Sequence, residues 1–388
     1  MHILKNRRRW AIFAAVAFSW WLSSCTGGAN GGSIARSGAI QSDLTGHAYA
    51  YLATSTTLTS YSIDPKSGSL TPLAEPSFRF EAAGPYGGIT QIATDPSGQF
   101  LYLLHYSGVH AYRIHPDSGA LSEISGSPFN CCLGPISLAF DASGTHLYVA
   151  GKTSPTAPVN TVIAAYAIAS SGALNPIANY TLSGELSSLA SAGDYLYVAG
   201  LYSNLIAAFA IEPTGELNQD VPGSPFPTDV GPHSLAVDPS GSVLYAANAG
   251  APTANQATPG SISAFTIDPA TGTLTPFVGN PVAIPFAASL GIDATGKFLV
   301  VPEANGVSVY AIDHQTAALS LVSGSPFAAG SDPDFVAFDS ASDDAYVVNQ
   351  GSANVSGFAV SGTGALSPLP SSPSPVASRP CCIAIARE

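Results

Sequence analysis

The sequence predicts an all-β fold, a seven-bladed β-propeller of four-stranded antiparallel blades. Two observations lead to this prediction: one strand pattern recurs seven times, and the last strand of the chain needs a partner that only the first blade can supply. The composition agrees, because the 38 Gly and 31 Pro residues and the 10% of charged residues suit short strands and tight turns. No segment shows a sustained helical period.

The repeat has two landmarks. The first is an Asp-Pro-Ser-Gly-type turn followed by Leu-Tyr; it spans Asp95–Tyr102, Asp141–Tyr148 and Asp238–Tyr245, with drift at Asp293–Val300 and Asp339–Tyr346, while Tyr51 and Tyr197 mark two further copies. The second is an aromatic-x-aliphatic strand, a small-residue turn and a Leu, as in Tyr61 to Leu70. Together they give four strands per copy, which is a propeller blade. One blade cannot cover both of its faces, whereas seven in a ring cover each other.

The two ends of the repeat region predict how the ring closes. The region begins with a second strand, His47–Ala53, that has no first strand before it. It ends with Cys382–Ile385, which matches the first strand Ser137–Phe140 and has no second strand after it. We therefore expect the C-terminal strand to complete the first blade, which removes an open sheet edge.

The N-terminal segment predicts a lipoprotein. A basic stretch and the apolar run Trp10–Leu22 precede Leu-Ser-Ser-Cys, so we predict a signal peptide at 1–24, a lipidated Cys25, a flexible tether over 25–45 and the propeller over 46–388. The alternative is an ordinary signal peptide with Cys25 as a free thiol. The expected location is the cell envelope, lipid-anchored on the periplasmic face of the outer membrane or on the cell surface. The anchor is the only membrane contact that we expect.

The charge balance excludes one class of partner. Processing removes Lys5, Arg7, Arg8 and Arg9, four of the 12 Lys and Arg residues, which leaves 8 against 25 Asp and Glu, a balance of −17. Such a surface repels nucleic acid. We expect a monomer that binds no nucleic acid.

The repeat also predicts which face carries function. Turns between first and second strands, and between third and fourth strands, are short and contain Gly. The other two connections vary, as at Arg79–Ile89, Lys152–Asn160, Asp220–Pro232 and Asn248–Gly260. Both variable connections emerge at the same rim, and long loops on a rigid scaffold commonly bind ligands.

The Asp-Pro-Ser-Gly…Leu-Tyr-Val pattern, the run Tyr61 to Leu70 and the closing blade resemble the lactonase-like seven-bladed propellers. This is the 6-phosphogluconolactonase type with its related YVTN-repeat proteins, and the likeness covers residues 46–388. It implies a site built from a His, an Arg-His pair and a Glu. His233 and Glu303 match two of these elements, whereas Ala287-Ala288-Ser289 stands where the Arg-His pair is expected. Arg379 is a substitute cation that we propose for the same channel mouth.

Lactone hydrolysis needs a base to activate water and a cation or donors to hold the oxyanion. On this hypothesis His233 is the base, Arg379 the oxyanion partner and Glu303 the orienting group. The alternatives are a loop role for His233 and a structural bridge from Arg379 to Asp332 or Asp334.

Other motifs point to structure. The aspartate turns offer too few ligands for calcium, and His105, His110 and His115 are spread along one hairpin, so we expect no metal and no cofactor. Cys131, Cys132, Cys381 and Cys382 are possible disulfide partners; vicinal bridges, a cross-link between blades and buried thiols all remain open.

Two interpretations of function remain. We favour a periplasmic or cell-surface propeller that binds a protein or glycan at the loop-bearing face. The alternative is a lactonase, a carboxylic ester hydrolase of the 6-phosphogluconolactonase type that opens a sugar lactone ring.

Overall fold

The structure is a computed structural model. It describes residues 47–387 apart from 75–76, 82–87, 155–159, 220, 251, 254–255, 258, 278, 280, 285–288, 305 and 377. The signal peptide, Cys25 and the tether lie outside the described residues. Over the described residues every regular element is a strand, and no helix is long and apolar enough to span a membrane.

Seven sheets each contain four antiparallel strands from the centre of the ring outward, which confirms the prediction. The four strands follow chain order in every blade except blade 1, whose inner strand is the last strand of the chain. The inner strands of blades 1 to 7 are Pro380–Arg387, Ile89–Thr94, Leu133–Phe140, Leu186–Ala192, Pro232–Val237, Gly291–Ile292 and Pro333–Phe338. The second strands are Ala48–Thr54, Phe100–His105, His146–Lys152, Tyr195–Gly200, Val243–Asn248, Phe298–Glu303 and Ala345–Asn349.

The third strands are Thr57–Ile63, Gly108–Ile114, Asn160–Ile168, Leu205–Ile211, Gly260–Ile267, Gly306–Ile312 and Asn354–Val360. The outer strands are Leu70–Pro72, Leu121–Glu123, Leu174–Ser183, Leu217–Asn218, Leu274–Pro276, Leu319–Leu321 and Leu366–Pro368. Short strands Phe78–Arg79, Phe226–Pro227, Val282–Ile284 and Ser374–Pro375 pair with third strands, and Pro252–Thr253 pairs with Gln256–Ala257.

The C-terminal strand closes the ring, as predicted. Pro380–Arg387 pairs antiparallel with Ala48–Thr54 along its length, so blade 1 is built from both ends of the propeller. It also contacts the inner strands of blades 2 and 7. Arg387 clamps Asp339 of blade 7 through two hydrogen bonds, from Nε to Oδ1 at 2.7 Å and from Nη2 to Oδ2 at 2.6 Å.

The hydrophobic core lies in the seams between blades. Between blades 3 and 4, for example, Ile163, Leu196 and Phe209 pack together and are almost fully buried. This arrangement explains the alternation in the second and third strands, because each face of a blade packs on a neighbour.

A buried tyrosine forms a hydrogen bond across most of the interfaces between neighbouring blades. The second-strand Tyr of one blade donates from its hydroxyl to a glycine carbonyl in the turn of the next blade, at 2.8 to 3.0 Å; the pairs are Tyr51–Gly119, Tyr102–Gly172, Tyr148–Gly215, Tyr197–Gly272 and Tyr346–Gly68. Blade 6 lacks this bond on both sides. On one side, Tyr245 of blade 5 faces the blade 6 turn, where Ala317 stands in place of Gly, and the Tyr245 hydroxyl has no partner among the described residues. On the other side, Val300 of blade 6 stands in place of the tyrosine.

The aspartate turns are structural. In blade 2, Asp95 accepts hydrogen bonds from the Phe100 amide at 2.6 Å and from Ser97, and Asp141, Asp238 and Asp293 do the same in their blades. These carboxylates satisfy turn amides, as expected for Asx turns. We call this rim the turn face and the opposite rim the loop face.

Candidate functional site

A β-bulge opens the inner strands at the loop face. Over the described residues, the inner strands of six blades each leave at least one residue out of the pairing with the second strand near the loop face. The residues left out are Cys381 in blade 1, Thr90 in blade 2, Gly134 and Ile136 in blade 3, Ser187 in blade 4, His233 in blade 5 and Asp334 in blade 7. A bulge redirects its side chain, which is a common device beside functional sites.

The bulges lie at the loop-face ends of the inner strands, which surround the central channel. Thr90 Oγ1 donates to the Pro135 carbonyl at 2.8 Å, and Ser187 Oγ donates to the Pro232 carbonyl at 2.6 Å. Each of these bonds crosses to the next blade at the start of its inner strand. His233, half-buried, and Asp334 occupy the same position in blades 5 and 7.

Asp334 is a carboxyl group at the mouth whose pKa is raised to near neutral pH. Enclosure by the surrounding protein raises its pKa to about 7; the charge of Asp332 adds to the increase, and Arg379 partly opposes it. Asp334 is half-buried, so part of its surface remains accessible. A carboxyl group with this pKa can both accept and donate a proton at neutral pH.

Gln350 connects Asp334 to the predicted cation. The Arg379 Nη2 donates to Gln350 Oε1 at 3.0 Å, and Gln350 Nε2 lies 3.4 Å from Asp334 Oδ2. The alternative prediction was a direct bridge from Arg379 to Asp332 or Asp334. In the structure, the side-chain amide of Gln350 links Arg379 to Asp334. Arg379 itself is exposed, so its remaining donors face solvent at the mouth.

Glu303 ends the second strand of blade 6 at the same rim. It is 6% exposed, and burial raises the pKa of its carboxyl group, although a hydrogen bond from Ser308 opposes the increase. Its Oε1 has no hydrogen-bond partner among the described residues. A buried carboxyl oxygen without a partner is costly, so it marks a place where a ligand or water can bind.

A series of hydrogen bonds joins neighbouring inner strands next to the bulges, and it is interrupted at blades 5 and 6. Side chains one residue beyond the bulge accept from an amide of the next blade: Gln91 from Leu138, Ser137 from Leu189 and Ser188 from Leu235, at 2.7 to 3.1 Å. Ser234 and Ser289 continue this series in blades 5 and 6, but their buried hydroxyls have no partner within the described part of the chain. Blades 5 and 6 therefore present spare polar groups near the mouth.

The structure places all three predicted site residues at the loop face, on blades 5, 6 and 1. Glu303 accepts a hydrogen bond from Ser308 and Arg379 donates one to Gln350, so these contacts do not connect Glu303 with Arg379. Ala287 and Ala288 lie outside the described residues. The assignment of His233, Glu303 and Arg379 as catalytic residues stays a prediction.

Asp334 is the residue that the sequence argument missed as a candidate in its own right. It was considered only as a structural partner of Arg379. The signal that could have found it is its position: Pro232-His233 and Pro333-Asp334 begin equivalent strands, so the two side chains were expected at equivalent places.

The cysteines form two close pairs. Cys131 Sγ lies 3.0 Å from Cys132 Sγ, and Cys381 Sγ lies 2.8 Å from Cys382 Sγ. Their disulfide connectivity stays a prediction. Within the described residues no group of three or more His, Cys, Asp or Glu side chains could hold a metal ion.

A cavity of about 200 Å³ lies at the other end of the channel. Inner-strand side chains such as Leu138, Ile292 and Ile385 line it together with turn-face residues. Its charged neighbours are committed to structure, because Arg387 pairs with Asp339 and Asp95 holds its own turn. We therefore place the candidate site at the loop face.

Comparison with known proteins agrees with this architecture. The chain matches the family model "Lactonase, 7-bladed beta-propeller" over residues 30–186, 91–287, 188–325 and 301–388. It is similar to the structure of a putative 6-phosphogluconolactonase from Bacteroides fragilis, with 18% identity, a TM-score of 0.70 and coverage of 89% of this chain and 100% of that chain.

It is also similar to the periplasmic gluconolactonase PpgL of Pseudomonas aeruginosa, with 18% identity, a TM-score of 0.67 and coverage of 88% of this chain and 99% of that chain. A protein from Lactobacillus plantarum gives 20% identity and a TM-score of 0.66, with coverage of 88% and 99%. No curated protein sequence matches this chain. At these identities the structural likeness concerns the fold.

Proposed function

Because this chain belongs to the family of seven-bladed lactonase propellers, we propose that it opens the ring of a sugar lactone at the loop face, with Asp334 as the acid–base group. The observation that carries the proposal is a carboxyl group with a pKa of about 7 in a bulge at the channel mouth, linked through Gln350 to Arg379.

The chemistry follows from these groups. Ionised Asp334 accepts a proton from the water that attacks the lactone carbonyl, and the Arg379 guanidinium stabilises the developing oxyanion. Asp334 then returns the proton to the ring oxygen as the C–O bond breaks. Glu303, with its raised pKa, is suited to bind a sugar hydroxyl, and Ser234 and Ser289 offer further hydroxyls.

The substrate that we propose is an unphosphorylated lactone. A phosphate group would favour several free cations at the mouth. Lys152, which also lies at the loop face, is paired with Glu185 at 2.6 Å. Arg79 lies in a short strand that pairs with the third strand of blade 1 and not with an inner strand, so we assign Arg379 as the cation for the substrate.

The test is hydrolysis of glucono-δ-lactone across pH 5 to 9 by the purified protein. We expect the rate to rise with a midpoint near pH 7 and Asp334→Asn to lower kcat by about 100-fold or more. The matched control is Asp332→Asn, which removes the neighbouring negative charge and should move the midpoint to lower pH while activity remains. Turnover by Asp334→Asn at the wild-type rate would refute the role of Asp334; retention of that rate in His233→Ala would remove His233 as a base.

A second candidate function is binding of a glycan or protein partner without turnover. It is favoured by Ala287-Ala288-Ser289, which offers no cation where family members carry an Arg-His pair, and by the engagement of Arg379 with Gln350. Calorimetry with glucono-δ-lactone and with neutral oligosaccharides separates the two functions, because binding heat without ring opening supports the second.

We also propose that the protein is a monomeric lipoprotein of the cell envelope. The support is the Leu-Ser-Ser-Cys sequence ending at Cys25, with Thr26 after it. Metabolic labelling with palmitate should mark the wild-type protein and not Cys25→Ser, and unlabelled wild-type protein recovered in the soluble fraction would contradict the proposal.

A further inference from the structure

A chain of hydrogen bonds on blade 2 joins a serine, a histidine and a glutamate. Ser107 Oγ lies 2.9 Å from His110 Nε2, and His110 Nδ1 lies 3.1 Å from Glu123 Oε1. Ser127 also donates to Glu123 Oε1 at 2.8 Å and so helps to fix the carboxylate. A hydroxyl, an imidazole and a carboxylate in this order are the parts of an activated nucleophile.

A second imidazole approaches the same hydroxyl. His105 Nδ1 lies 2.8 Å from Ser107 Oγ, and His105 Nε2 lies 3.2 Å from the Glu81 carbonyl oxygen. His105 is buried; burial lowers its pKa, His110 adds to the decrease, and the bond to Glu81 opposes it, so its imidazole is held neutral.

The two imidazoles have different hydrogen-bonding roles. A carbonyl oxygen only accepts, so the neutral His105 carries its hydrogen on Nε2 and its Nδ1 must accept from Ser107. The Ser107 oxygen is then free to accept from His110 Nε2–H, and the Glu123 carboxylate accepts from His110 Nδ1–H. Ser107 therefore has a proton acceptor on one side and a proton donor on the other.

The serine is accessible to a substrate. Tyr106 and Ser107 form the two-residue turn between the second and third strands at the loop face, and Ser107 is exposed. The Ser107 N–H also donates to His105 Nδ1, at 3.5 Å, so the backbone of this turn belongs to the same network. Phe80, with ring centroids 5.2 Å from His105 and 5.0 Å from His110, gives the site an aromatic wall.

We propose that Ser107 is the nucleophile of a second site, on blade 2, that takes acyl esters. Ser107 Oγ attacks the ester carbonyl carbon and its proton passes to His105 Nδ1. As the bond to the leaving oxygen breaks, His110 Nε2 gives its proton to the departing alkoxide, which leaves as an alcohol. Water then attacks the acyl-serine through the reverse proton transfers, releasing the acid and restoring Ser107.

The residues of this site have distinct roles. Ser107, His105 and His110 are the catalytic residues, Glu123 is a positioning residue, and the aromatic side chains of Phe80 and Tyr106 favour an aryl or other apolar ester over a sugar. This site is independent of Asp334, which lies on blade 7.

The experiment is covalent labelling of the whole protein by an aryl fluorophosphonate, read by mass spectrometry of the tryptic peptides. The Ser107 oxygen should displace fluoride from phosphorus, and the modified residue should be Ser107. We expect no label in Ser107→Ala, at least about 100-fold slower labelling in His105→Ala, and a smaller decrease in Glu123→Gln. Hydrolysis of p-nitrophenyl acetate should fall in the same order.

The matched control is Ser203→Ala. Ser203 lies in the equivalent connection of blade 4, is exposed, and bonds the Gly200 carbonyl of its own turn. This variant should be labelled like the wild type, as should Asp334→Asn, which separates the two sites. Wild-type protein that stays unlabelled at Ser107, or a folded His105→Ala/His110→Ala variant labelled at the wild-type rate, would overturn the proposal. Thermal unfolding of each variant reports that it is folded.

Discussion

Replacement of Arg387 by methionine tests the latch that closes the ring. Arg387 belongs to the last strand and binds Asp339 of blade 7 through both carboxylate oxygens. The Asp339 side chain is 1% exposed and that of Arg387 is 13% exposed, so solvent cannot replace the lost partner. Methionine keeps much of the apolar stem and removes the charge.

The expected cost is large because one buried charge is left behind. Removal of one partner of a buried ion pair costs about 3–5 kcal/mol, compared with about 0–1 kcal/mol for an exposed pair. An unfolding entropy of about 2.1 cal/mol/K per residue over about 340 residues gives about 0.7 kcal/mol/K, so Tm should fall by about 4–7 °C.

The pH dependence of stability should also change sign. Burial alone would raise the pKa of Asp339, but the hydrogen bonds and charge of Arg387 more than offset it, and the pKa is lowered. In the wild type, the contribution of Asp339 to the free energy of unfolding is therefore fully present above the pKa that Asp339 has in the unfolded chain. It is lost as pH falls through the lower pKa of Asp339 in the folded protein. In Arg387→Met burial dominates, so acid should restore part of the lost stability.

The assay is thermal and urea unfolding at pH 7 and pH 4. Arg79→Met removes an exposed arginine from blade 1 and should change stability by no more than about 0.5 kcal/mol. The double variant Arg387→Met/Asp339→Asn should recover part of the loss. A loss below about 1 kcal/mol in Arg387→Met would refute the reasoning, because the pair would then behave as a solvated one.

Three further predictions concern the body of the ring. Tyr346→Phe removes the bond to Gly68 and should cost about 1–3 kcal/mol, whereas Tyr245→Phe, whose hydroxyl has no described partner, should be neutral or stabilising in urea unfolding. Gly151→Ala should destabilise, because its Cβ would lie 2.2 Å from Cys132 Sγ and 3.0 Å from the Pro135 Cα, while Gly362→Ala meets no atom within 4 Å and should not. In the wild type, the raised pKa of Asp334 means that the folded state keeps a proton that the unfolded chain has released, so stability should fall as pH rises from about 4 to about 7. Asp334→Asn should remove this fall, and Tm measured across that pH range tests it.

Each of these predictions has a contradicting result. Equal losses in the two tyrosine variants would show that packing and not the hydroxyl matters at the seam. An unaltered Tm in Gly151→Ala would show that the Cys131–Cys132 segment moves freely. A pH dependence of Tm that is the same in wild type and Asp334→Asn would place the raised pKa elsewhere.

The fold could be predicted from the sequence because the same physical requirement recurs in every blade. The seam tyrosine, the turn glycine and the aspartate turn each repeat near fixed spacing, and Cys382–Ile385 matched an inner strand that lacked a partner. The structure extends that strand to Pro380–Arg387 but keeps its place. The seven-bladed ring and its closure were therefore predicted correctly.

The site could not be predicted to the same depth, because its geometry depends on departures from the repeat. A bulge leaves no mark in the strand pattern, so nothing in the sequence said that Asp334 and His233 leave the ladder. The pKa of Asp334 depends on its surroundings in the folded channel. For the histidines, the spread of His105, His110 and His115 along one hairpin did not show that His105 and His110 meet across Ser107.

The place where the propeller begins has a consequence for orientation. Ala48 pairs with Arg387, so the first strand starts at the turn face and runs toward the loop face. His47, the first described residue, therefore lies at the turn face, on the opposite rim from Asp334 and Ser107. The proposed lipid anchor, attached on the N-terminal side of the propeller, would leave both centres on the face away from that attachment.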